Sequence, residues 1–480
     1  MSELDLCYLP ATDALHQFRS GALSPLELLQ AQLRRADALE PTVNALAARR
    51  TDAALAAARA AEQTYLRHPD CAGALEGLPT VLKNEHTLVG EHTDQGSWLL
   101  GETADTENAP ITQRLLDAGA VVHGRTNVPE FFVAMFTRSL RYGVTRNPWN
   151  PTYTCGGSSG GSGAALAAGI TTLATGSDIG GSIRVPAAYC GVVGLKPSYG
   201  RVPEAMMFFA MNTHNHNGLL ARTVGDCALM FNVINGPHRA DPATIKPRLQ
   251  VPLQPAPVRG LRVAVSMNLG YFDVSAEVVR NTRAAAQHLR DQGAIVEEVD
   301  LRWTAQVREA FTNGLVYTLG HSLARMIAGR EDQVNDYVAA MARMSAQITL
   351  DDYLASFDVM AQMHAALQDV LAVHDVMLCP TLADNRWLAE GSDTPHDDLM
   401  QRGMTYPFNM LSRHPVLAVP SGHASHGVPT GLQIVGRTYE DARVLQVGAA
   451  LEAAIGWPAW RPPIGAAAAS VERLHDEAAT

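Results

Sequence analysis

The chain has 480 residues, 47% hydrophobic and 18% charged, with a formal net charge of −11. That balance supplies ample material for a core and sets aside nucleic acid and anionic membrane as main partners. No run of about 18 apolar residues predicts a membrane helix, and the amino terminus lacks the basic start and apolar stretch of a signal peptide, so a cytoplasmic protein is expected.

In chain order, Leu9–Arg67 reads as helical. Ser24 followed by Pro25 is a helix start, and the Ala-rich run Leu46–Leu66 continues the helical pattern. Leu78–Asn84 is predicted to be a buried strand ending at Lys83. Ile111–Ala118 reads as a helix and Ala120–Gly124 as a strand. This alternation of helix and strand predicts a largely parallel sheet between helices. Further helices are predicted at Thr223–Ile234, Ala276–Asp291 and Glu440–Ile455, and a Pro-rich excursion at Pro237–Pro257. Strands are predicted at Leu261–Ser266, Ala294–Val299, Val376–Cys379, Val416–Val419 and Gly431–Val435. Residues 304–373 read as mostly helical, laid over the sheet.

Six cysteines lie scattered without a CxxC pair, as in a reduced protein. Seventeen histidines show no HExxH or similar spacing. His214 and His216 read as part of a polar loop rather than a metal site. No metal-ligand constellation is seen.

Of 37 basic residues only Lys83, Lys196 and Lys246 are lysines. Arginine keeps its proton inside proteins, whereas a buried lysine can lose it. Each lysine is therefore a candidate for chemistry. Lys246 falls in a Pro-rich loop and Lys196 precedes a proline, which leaves Lys83.

The stretch from Tyr153 to Tyr199 holds two glycine-serine turns, GGSSGGSG at Gly156–Gly163 and GSDIGGS at Gly176–Ser182. A flexible linker is the plain reading of either one. The apolar segment between them argues against that reading for the pair. Neither turn fits a nucleotide loop or a dinucleotide fingerprint. The backbone N–H groups of Ile179, Gly180, Gly181 and Ser182 are candidate oxyanion donors. Ser182 is a candidate nucleophile, weighed against a helix-capping serine. Its flanks are not the GxSxG elbow. Histidine or a neutral lysine could serve as its base, burial making the lysine more acidic. Cys155 or Cys190 as nucleophile is a weaker alternative.

With LPTVLKN around the lysine, GRTNVPEF, NPW, GGSSGGS, GSDIGGSIRVPAAYCGVVGLKPSYGRVP, LCPTL, YPFN and VPTGLQIVGR, the chain resembles the amidase signature family of serine hydrolases. The resemblance runs from about Ala11 to Ile455 and is weakest at 237–373. The resemblance implies a Ser-cisSer-Lys triad: Ser182 attacks the amide carbonyl, Ser158 relays protons beside a cis Gly157–Ser158 peptide, and Lys83 is base and then acid. It implies an α/β fold with a mixed sheet of about eleven strands between helices, and a reaction that needs no metal and no cofactor. The expected organisation is a helical segment at 1–70, the catalytic core at 71–236, a helical excursion at 237–374, and the rest of the same α/β domain at 375–480.

Asn84 departs from the family, where Asp often follows the lysine. Arg402 stands near a position where glutamine-hydrolysing amidotransferase subunits tend to carry an acid, which disfavours that alternative. Phe131, Phe132, Met135, Phe136, Met206, Met207, Phe208 and Phe209 bracket the site in sequence. Such clusters are more often core. Phe132 matches a ligand-contacting position in fatty acid amide hydrolase-like members, and Phe132, Ser158 and Met207 are the candidate substrate contacts. The expected partner is a small amide with an apolar or aromatic acyl group, with esters or carbamates as further substrates. A homodimer is allowed by the sequence and not required by it.

Overall fold

The computed structural model describes residues 1–101, 103–204, 213–391 and 400–464. Its strands are β1 (Leu46–Arg49), β2 (Pro79–Lys83), β3 (Val121–Thr126), β4 (Arg138–Ser139), β5 (Gly143–Val144), β6 (Leu173–Ser177) and β7 (Val193–Lys196). These are followed by β8 (Asn217–Ala221), β9 (Arg262–Val265), β10 (Ile295–Glu298), β11 (Val376–Pro380), β12 (Val416–His423) and β13 (Pro429–Gly436). Eleven of them form one sheet in the order β1-β3-β2-β6-β8-β7-β12-β13-β11-β9-β10, while β4 and β5 pair alone.

The sheet is mixed. Parallel pairing is confined to β3-β2-β6 on one side and β11-β9-β10 on the other. The centre, from β6 through β8, β7, β12 and β13 to β11, is antiparallel. The largely parallel sheet expected from the helix–strand alternation is thus corrected. Three central strands missing from that reading, LATGS, VGLK and NGLLA, each carry a glycine and a weak strand signature. The predicted helix over Leu46–Leu66 is also corrected at its start. Leu46–Arg49 pairs antiparallel with β3, and the helix runs Thr51–Arg67. Edge pairing overrides the helical propensity of alanine here.

Strand periodicity sorts side chains into two layers. Leu82, Leu173, Leu219 and Leu417 enter one large core beneath the helices Val224–Ile234 and Asp441–Ile455. Their neighbours Val81, Ala174, Leu220 and Ala418 face the other side. Small residues on that side let two fully buried short helices, Gly160–Ala167 and Arg184–Cys190, lie close on the sheet. The first helix begins inside the first glycine-serine turn, and the second follows the other turn. The excursion supplies further helices over the same face, including Gln306–Leu315, a π-helical turn at Val316–Gly320, and Asp336–Ser345. Among the described residues no helix is long and apolar enough to cross a membrane.

Candidate active site

Strands β2 and β6 are parallel neighbours, so Lys83 and Ser177 emerge side by side at their carboxyl ends. The Lys83 backbone N–H donates to Thr175 Oγ1 at 2.8 Å, fixing the strand end. The Lys83 side chain is fully buried. Its Nζ lies 2.8 Å from Ser158 Oγ, 2.7 Å from Ser177 Oγ and 2.9 Å from Glu85 Oε2, and 4.7 Å from the centre of the Phe132 ring. Burial holds the ammonium below its usual range, and the charge of Glu85 opposes that shift.

The first serine turn is built tightly. The Gly157–Ser158 peptide is cis. A Cβ at Gly157 would run into the Phe136 backbone, so the position demands glycine. Ser159 N–H donates to Ser182 O at 3.0 Å, which ties the two turns together.

The second turn is held from beneath by a buried ion pair. Arg184 Nη2 and Nε donate to the two Asp178 oxygens at 2.8 and 2.9 Å. Arg184 also donates to Thr405 O, Gln433 Oε1 and Asn409 Oδ1, while Asn409 Nδ2 donates back to Asp178. Burial alone would raise the Asp178 carboxyl; the Arg184 guanidinium and the hydrogen bonds of Arg184 and Asn409 hold it well below the usual range. Asp178 accepts from Gly181 N–H at 2.8 Å. That removes Gly181 from the four proposed oxyanion donors. The N–H groups of Ile179, Gly180 and Ser182 have no partner among the described residues. Gly181 has φ +128°, and a Cβ there would collide with the Thr405 side chain.

Ser182 Oγ makes no hydrogen bond among the described residues, and Ser182 lines a pocket with Ile179, Gly180, Phe132, Met135, Phe311 and Leu319. The pocket encloses about 480 Å³ of empty space, mouth included. Phe131 and Phe132 both have positive φ, 53° and 65°, an unfavourable conformation for bulky residues that aims the Phe132 ring at Lys83. Glu130 anchors this loop to the excursion, its carboxylate accepting from Asn335 N–H and Nδ2 and from Ser97 Oγ. Phe131 and Phe136 belong to the core. Met206, Met207, Phe208 and Phe209 lie outside the described residues.

The structure therefore brings Lys83 and Ser158 into direct contact, while Ser182 lines the pocket and is tied to the first turn through Ser159. No hydrogen bond joins Ser158 to Ser182. Sequence reasoning passed over Glu85 and Ser177, although Ser177 lies inside the quoted GSDIGGS and Glu85 stands two residues beyond the lysine. It also passed over Asp178 and Arg184, both inside quoted motifs. Cys155 and Cys190 do not fit the thiol alternative. Both are buried, and burial pushes the Cys155 thiol up to about 12 and Cys190 well above its usual value. His216 is likewise a packing partner: its Nδ1 lies 3.2 Å from Asp178 O and its Nε2 3.0 Å from Ser412 O.

A family model described as Amidase matches residues 27–445. The chain is 34% identical over 477 residues to an acylamidase of Rhodococcus erythropolis, covering 96% of this chain and 98% of that protein. It is 33% identical to one of the subunits of the glutamyl-tRNA(Gln) amidotransferase of Chloroflexus aurantiacus, covering 95% and 99%. The solved structure of a bacterial aryl acylamidase of the amidase signature enzymes superposes with a TM-score of 0.88 at 28% identity, over 95% of this chain and 99% of that one. A family match over nearly the whole length, with relatives this complete, leads to one conclusion: the chain belongs to the amidase signature family, whose members hydrolyse carboxylic amides.

Proposed function

We propose that this amidase cleaves small linear amides with apolar or aromatic acyl groups through an acyl-enzyme on Ser182, with Ser158 as proton relay and Lys83 as base. One observation carries this reading: the buried Lys83 Nζ lies 2.8 Å from Ser158 Oγ, beside a pocket that holds Ser182 with its hydroxyl unpartnered.

In acylation Ser182 Oγ forms a bond to the carbonyl carbon and gives its proton to Ser158 Oγ, which passes its own proton to Lys83 Nζ. The carbonyl oxygen becomes the oxyanion, facing the unpaired N–H groups of Ile179, Gly180 and Ser182. The C–N bond then breaks as the proton returns from Lys83 through Ser158 to the leaving nitrogen. Water repeats the sequence in reverse on the acyl-enzyme. The relay requires a Ser182–Ser158 hydrogen bond, and catalytic hydrogen bonds commonly tighten only when substrate is bound.

The apolar walls of Phe132, Met135, Phe311 and Leu319 support the acyl preference. The second reading, a glutamine-hydrolysing component of an amidotransferase, draws on the Chloroflexus relative. Against it, the pocket walls hold no charged side chain among the described residues that could pair with an amino-acid headgroup. Arg402 is engaged elsewhere, over the Trp387 ring and on Arg386 O. Assay of purified protein on an aryl amide and on free glutamine tests the choice. Faster turnover of the aryl amide is expected; the reverse ranking overturns it. Adding esters and carbamates to the panel sets the breadth of the leaving group.

A further inference from the structure

The base side chain has three polar neighbours, and two of them, Ser177 and Glu85, are not part of the proposed relay. Glu85 Oε2 lies 2.9 Å from Lys83 Nζ, with both side chains shielded from solvent. Ser177 Oγ donates to the same Glu85 oxygen at 2.5 Å and lies 2.7 Å from Lys83 Nζ. Lys83, Ser177 and Glu85 thus form a closed triangle below Ser158.

With Glu85 taken as a carboxylate and Lys83 as the neutral amine that a base must be, proton counting sets the direction of every bond in that triangle. A carboxylate has no proton to give, so it accepts from both partners. Ser177 has a single proton, committed to Glu85, so it too accepts from Nζ. A neutral amine has two N–H bonds and one lone pair. With the two N–H bonds on Glu85 and Ser177, the lone pair is left facing Ser158 Oγ, the hydroxyl from which the proposed mechanism draws its proton.

We infer that Glu85 is a positioning residue: its carboxylate orients the Lys83 lone pair onto Ser158 and stabilises the ammonium formed when Lys83 takes the proton. This rests on the reading of Lys83 as base. The role parallels that of a buried carboxylate behind a catalytic histidine. Asn84, where the family often has Asp, does not supply it. Its amide donates to Asp94 Oδ1 at 2.9 Å and accepts from Arg125 Nε at 3.1 Å, so an Asp there would set two carboxylates together. In this chain the carboxylate at the base comes from one residue further on.

Other charged groups face this triangle. His86 sits against Thr175 Oγ1 and Asn217 Oδ1, and burial disfavours its charged form. Asp178 adds to the field at Lys83. Glu204, bonded to Asn215, is pushed up to about 8 by burial, with the charge of Glu85 adding to the rise. It titrates in the range of interest, so its contribution has to be removed by measuring in a Glu204→Gln background as well.

The test is the pH profile of kcat/KM for an aryl amide in the parent and in Glu85→Gln. An amide at position 85 can donate to Ser177, which frees the Ser177 proton to turn the Lys83 lone pair away. It also removes the charge that favours the ammonium. The plateau rate is expected to fall about 100-fold. The acid limb is expected to move down by about one to two pH units, because loss of a neighbouring negative charge makes the ammonium more acidic. A plateau within about threefold of the parent, or an unshifted limb, overturns the inference; a purely structural role would not move the limb. If Glu85→Gln does not fold, Glu85→Asp carries the same test. It draws the carboxylate back from Nζ, and a smaller downward shift with about a tenfold loss is expected. An unshifted limb again overturns the inference. Lys83→Ala run alongside separates the two readings. If it retains turnover, the base assignment falls; if it is inactive while Glu85→Gln behaves as the parent, only the role of Glu85 falls.

Discussion

Two lysines are fully buried in this molecule, and only one of them sits where chemistry is possible. Lys83 points at two hydroxyls and a carboxylate, beside a pocket. Lys196, at the end of β7, donates to the backbone oxygens of His414, Ser412 and Pro197 at 2.9, 3.3 and 3.2 Å, with His216 Nε2 at 3.3 Å. Burial lowers both ammonium groups, and that of Lys196 falls to about 7. A lowered pKa therefore does not make a base. Carbonyl oxygens can only accept, so a proton on Lys196 has nowhere useful to go. Serine hydroxyls both accept and donate, so a proton on Lys83 can be passed along.

The sharpest way to break this contrast is to remove the groups on the Lys83 side. Ser182→Ala is expected to lower kcat by about ten-thousand-fold or more, read by steady-state turnover of an aryl amide. Lys83→Ala is expected to cost about a thousandfold in kcat, and to lower the thermal midpoint as well, because it leaves the buried Glu85 carboxylate unpaired. Lys196→Met should spare turnover. It takes the Nζ donor from the carbonyls of His414 and Pro197, while Ser412 O keeps the Tyr199 N–H, and is expected to cost about 2–3 kcal/mol in denaturant unfolding, while kcat/KM stays within about threefold.

The pH dependence of stability sharpens the comparison further. Between about pH 7 and about pH 10 the unfolded chain binds a proton at Lys196 that the folded chain does not. Unfolding takes up that proton, so Lys196 makes stability rise with pH across this window, by up to about 1.4 kcal/mol per unit. Lys196→Met is expected to flatten the rise, seen by repeating the unfolding series at several pH values. The smallest effect is expected from Phe132→Ala, which removes part of the acyl wall. KM for an aryl amide should increase about tenfold, with a lesser change for a short aliphatic amide.

Much of this site was legible in the residues. Ser24 with Pro25 marked a helix start, and the structure has the capping box there with Glu27. The short apolar run ending at Lys83 is β2, and the helix Ala276–Asp291 has the predicted bounds. The scarcity of lysine pointed to Lys83 before any motif did. What was hidden follows from physics that no local pattern carries. Glu85 and Ser177 meet Lys83 because two strands, separated by 94 residues between Lys83 and Ser177, end side by side. The commitment of Gly181 N–H to Asp178 depends on a carboxylate held in place by Arg184 and Asn409. Three strands of the antiparallel centre, β6, β7 and β8, are short and interrupted by glycine, and their pairing comes from their neighbours.

The central claim is that the proton leaving Ser182 reaches Lys83. Single-turnover acylation of Ser182 by an aryl amide, followed by mass of the acyl-enzyme across pH in the parent and in Lys83→Ala, tests it most directly. The parent rate is expected to climb with pH to a plateau as Lys83 loses its proton, and Lys83→Ala to acylate about a thousandfold more slowly without that climb. Acylation of Lys83→Ala at the parent rate, with the same pH profile, would contradict the account.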